Sequence, residues 1–85
     1  MGDKSRYKHW YVYLHGHPFN TESYQLVNLK PRCSNGKNLC AIYADGYEDQ
    51  PFEFSNKLKM HIANALAIGE AQPADSESHI VLLRN

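Results

Sequence analysis

The segment Pro31–Ala44, PRCSNGKNLCAIYA, decides how the rest of the chain is read. Its second half, LCAIYA, is almost continuously apolar, the pattern of a central strand covered on both faces. Its first half carries one of the two cysteines, with six residues, one of them a glycine, before the other. As a hairpin, an Asn35-Gly36 turn would set Cys33 opposite Asn38 and keep the thiols apart. A turn centred on Gly36-Lys37, or a four-residue loop Asn35–Asn38, would set Cys33 opposite Cys40. Directly opposed residues lie roughly 4.5–5.5 Å apart at Cα, within reach of a disulfide. A Cys33–Cys40 disulfide is therefore the first reading, with two buried structural thiols as its rival. Zinc and redox readings fit less well, because the spacing is neither C-x₂₋₄-C nor C-x-x-C. A disulfide would favour an extracytoplasmic or secreted setting.

Outward from this segment the chain reads as β-β-β-α-β. KHWYVYL is a strand of aromatic and β-branched residues; with a period of two, Trp10, Val12 and Leu14 form its expected core face. Tyr11 and Tyr13 then face outward with His15. HGHPFNTES is a loop, Tyr24–Leu29 a second strand ended before Pro31, and Leu39–Ala44 the third. Ser55 is placed to cap a helix over Asn56–Ile68, with Leu58, Ile62, Ala65 and Leu66 as its apolar stripe and Gly69 as its stop. His61 flanks that stripe. HIVLLR forms the last strand, which a right-handed connection would lay parallel to the third or the first. The fold class is α+β: one domain over residues 1–85, a mostly antiparallel sheet with one helix on one face, and residues 1–7 loose.

Composition removes several function classes. Apolar residues make up 42% of the 85, enough for a core, and the net charge is zero, which disfavours a nucleic-acid binder. The glycine-aromatic signature of an RNA-binding sheet is missing from RYKHWYVY. No apolar run is long enough for a membrane span or a signal-peptide core. Lys4, Arg6 and Lys8 gather at one end of the chain, with Glu48, Asp49 and Glu53 around a later loop, an uneven distribution most simply read as solvated surface.

No nucleophile elbow, P-loop, H-E-x-x-H or dinucleotide fingerprint is present. The chain is accordingly read as a non-enzyme without a cofactor. It is expected to be an interaction or assembly module, binding a protein partner or itself through an aromatic sheet face or an open edge strand. Tyr11, Tyr13, Tyr47 and Phe52, beside Phe54, are the candidate contact residues. The alternative is a small metal- or ligand-binding protein using His15 and His17, joined by His9 or His79.

WYVY, SYQLV, CSNGKNLCAIYA, ANALAIG and the closing VLLRN together resemble a group of short Bacteroidota proteins. Those share W-Y-x-Y, a serine-tyrosine pair, C-x₃₋₇-L-C-A-I-Y/K-A and V-x-L-R. The likeness spans residues 10–85. It implies a bacterial source and two cysteines that belong together in the scaffold; it carries no catalytic residues.

Overall fold

A computed structural model describes residues 8–46, 48–73 and 79–85. Four strands, β1 (Lys8–Tyr13), β2 (Tyr24–Val27), β3 (Asn38–Asp45) and β4 (Val81–Arg84), form one sheet in the order β2-β1-β3-β4. All three pairings are antiparallel, and the single helix α1 (Asn56–Ile68) packs on one face, so the α+β class holds.

The helix bounds follow from local chemistry. The Ser55 hydroxyl accepts from the Leu58 amide at 3.1 Å, and Gly69 closes the helix in the left-handed conformation. Its buried residues are Leu58, His61, Ile62 and Ala65. Two details depart from expectation: Leu66 is 37% exposed, and His61 lies within the buried face.

The face of β1 is the reverse of the one expected. Tyr11 is fully buried, at the centre of a row Leu26–Tyr11–Ile42–Val81 across the sheet, while Leu14 is 48% exposed. Both faces of WYVYL are apolar, so alternation alone cannot choose between them. Polar tips decide the matter. Tyr11 donates its hydroxyl to the Glu48 carbonyl at 3.2 Å, Tyr24 donates to Pro18 at 2.6 Å, and Tyr13 donates to Gly16. Each ring fills core volume while its hydroxyl reaches a loop carbonyl, so no polar atom is stranded. Trp10 lies instead on the helix-free face, 5.1 Å from the Tyr43 ring.

Since β2 and β3 both run antiparallel to β1, they are parallel to each other with β1 between them. The expected β2–β3 hairpin is therefore absent, and residues 28–37 carry the chain across the helix-free face. Lys30 Nζ lies 5.5 Å over the Trp10 ring on the way, and Asn35 donates its amide to the Leu83 carbonyl at 2.9 Å. The crossing is stapled: Cys33 and Cys40 form a disulfide with Cα atoms 6.2 Å apart. Asn35 takes the left-handed conformation expected of an Asn-Gly turn. The cysteines are bonded even so, because the bond joins a crossing segment to a strand rather than two hairpin arms.

Cys40 occupies a β-bulge: Leu39 pairs with Leu83 and Ala41 with Leu82, leaving Cys40 over. The extra residue puts Leu39 and Ile42, three apart, on the same core face.

The last strand is antiparallel to β3, not parallel to β3 or β1. After Gly69 the chain doubles back along the outer side of β4, where Gln72 pairs antiparallel with Val81. That reversal replaces the expected right-handed crossover.

Candidate functional site

The residues expected to meet a partner are dispersed. Tyr11 is sealed in the core and Tyr13 packs against it, edge-on to Tyr24 with ring centroids 5.6 Å apart. Tyr11 therefore presents no aromatic surface to solvent, contrary to expectation, whereas Tyr13 is half-buried. Phe52 is half-buried, its amide bonded to the Asp45 carbonyl at 2.9 Å. Tyr47 lies outside the described residues.

The sheet edges are also occupied. On the outer side of β2, the Leu26 amide donates to Asp49 at 2.8 Å and the Tyr24 amide to Thr21. Along β4, Asn35 engages Leu83, and Gln72 exchanges bonds with Ile80 and Val81. An added strand would have to displace these contacts, so the edges make poor templates.

His15 and His17 sit in the loop between β1 and β2, both exposed. His17 Nδ1 already accepts the Phe19 amide at 3.0 Å. His9 belongs to the opposite end of β1, where its Nδ1 lies 2.6 Å from the Gly46 carbonyl oxygen. Among the described residues, no three His, Cys, Asp or Glu side chains converge as metal ligands.

The surface that does stand out is the outer side of α1. From His61 to Ile68, HIANALAI contains no charged residue. At 100° per residue Met60, Ala63 and Ala67 form the row farthest from the sheet, with Asn64, Leu66 and Ile68 beside it. Met60 is 51% and Ile68 61% exposed, and both alanines are exposed. A surface helix ordinarily carries charge here. Asn56 continues the row at its N-terminal end, and Glu70 lies beyond the other end. The signal was present in the sequence: an alanine-rich run without charge around its whole circumference. Of its three alanines only Ala65 is buried against the sheet.

No protein-family model, curated protein or solved structure matches this chain. Among the described residues, no helix is long and apolar enough to cross a membrane.

Proposed function

We propose that the chain is a small non-enzymatic interaction module that pairs with a second copy of itself through the outer face of α1. The observation carrying this reading is the uncharged, exposed row Met60–Ala63–Ala67. A two-fold antiparallel pairing makes that row self-complementary, because Met60 of one copy meets Ala67 of the other, a large side chain over a small one. Zero net charge adds no global repulsion.

A 13-residue helix is about 20 Å long, so the contact falls below the roughly 1,200 Å² of a standard interface. The pair is accordingly weak, reversible and concentration-dependent. Sedimentation equilibrium is expected to show a monomer–dimer equilibrium. Ala63→Glu and Ala67→Glu should each abolish it, with unchanged circular dichroism. A strict monomer over a wide concentration range, or association undiminished in both variants, would sink the proposal.

A further inference from the structure

The disulfide lies beside a cleft. Cys33 is half-buried and lines an open cavity of about 690 Å³ between the crossing segment, residues 69–71 and β4, whereas Cys40 is not among its described lining residues. That volume falls among the roughly 300–1,000 Å³ of small-molecule clefts. Lys30 and Arg32, both exposed, bring two positive charges to the cleft, and Glu70 is the single carboxylate of its described wall. Lys30 is seated over the Trp10 ring, which holds one of those charges in place. The balance favours an anionic occupant beside Cys33.

The two cysteines are also held differently. Cys33 belongs to a segment without regular structure, and Cys40 is the residue left over in the β3 bulge. Parting the sulfurs therefore leaves the pairing of β3 with β1 and β4 in place. Accessible disulfides are the exchangeable ones, and access selects which sulfur a thiolate attacks.

We propose that Cys33 is a thiolation site for small anionic thiols of the glutathione class, gathered by this cleft. The incoming thiolate attacks Cys33 Sγ and forms a new S–S bond to it. The Cys33–Cys40 bond breaks, and Cys40 Sγ leaves as a thiolate that takes a proton from water. A second thiolate, or Cys40 itself, later displaces the adduct. The small thiol is the sole co-reactant. The adduct unties the crossing at Cys33 while Asn35 still holds Leu83. The site uses none of Met60, Ala63 and Ala67 and stands whether or not the chain pairs.

The test follows opening of the native full chain by glutathione, which is anionic, and by cysteamine, which is cationic. Freed thiols are trapped with N-ethylmaleimide and mapped by mass spectrometry. Glutathione is expected on Cys33 and the maleimide on Cys40. The glutathione-to-cysteamine rate ratio should fall roughly threefold in Lys30→Gln and in Arg32→Gln, and should rise in Glu70→Gln. A variant that merely loosens the crossing would speed both thiols alike, and that effect cancels in the ratio. Four results would each overturn the proposal: no opening at millimolar thiol, glutathione on Cys40, a ratio unchanged in all three variants, or a rate independent of thiol concentration. The last would mean that unfolding, not the cleft, exposes the bond.

Discussion

At Gly36 a missing side chain lets the crossing segment lie against the end of β4. A Cβ there would collide with the Arg84 carbonyl oxygen and stand 2.7 Å from the Asn85 nitrogen, and φ is +155°. Those neighbours are backbone and cannot rotate away. Gly36→Ala is therefore expected to destabilise the fold by roughly 1–3 kcal/mol, measured by urea unfolding. A loss within experimental error would mean that the segment shifts freely. The buried tyrosines give a second residue-scale prediction. Burial, with a smaller contribution from Tyr13, raises the Tyr24 phenol well above its ordinary value; burial, then Glu48, raises Tyr11. The folded state thus keeps protons that the unfolded chain gives up above about pH 10. Their contribution is intact below that pH and is lost as pH climbs toward the folded values. In a spectroscopic titration, the phenolates of Tyr11 and Tyr24 should appear together with unfolding; early ionisation of all six tyrosines in a still-folded chain would contradict this.

The elements differ in how much of their placement local chemistry determines. α1 was legible to the residue, since Ser55 and Gly69 are local signals with local partners. The central position of β3 was legible from its continuous apolar run, and it does lie between β1 and β4. The route of residues 28–37 was not, because whether β2 and β3 are neighbours depends on β1, a distant part of the chain. The staple survived the wrong route: spacing showed that Cys33 and Cys40 could meet, not what would bring them together. The crossing has no regular structure of its own, so the disulfide contributes much of what holds it. Reduction, or Cys33→Ala with Cys40→Ala, should cost roughly 2–3 kcal/mol, on the loop-entropy estimate for so short a loop. Amide exchange should accelerate first in residues 28–37, with α1 changing least. Uniform acceleration throughout the chain would show that crossing and core unfold as one unit.

For the whole molecule, the candidate surfaces were less legible than the fold, and Tyr11 shows why. Exposure belongs to the packed assembly, and a tyrosine suits a solvent-facing sheet as well as a core with a nearby carbonyl for its hydroxyl. The cleft beside Cys33 was beyond sequence reading for the same reason: Arg32 and His79 converge only once the crossing lies beside β4. Self-association, by contrast, concerns α1 alone, and its predicted loss in Ala67→Glu should leave the cleft untouched.

The bonds along β2 and β4 also bear on aggregation. Fibril growth by cross-β stacking begins where a strand offers unmet amides and carbonyls to another chain. Here Asp49 and Thr21 meet one flank, and Asn35 and Gln72 the other. The proposed pairing through α1 would close on itself after two copies, whereas open-ended strand addition would have to displace bonds that β2 and β4 already make.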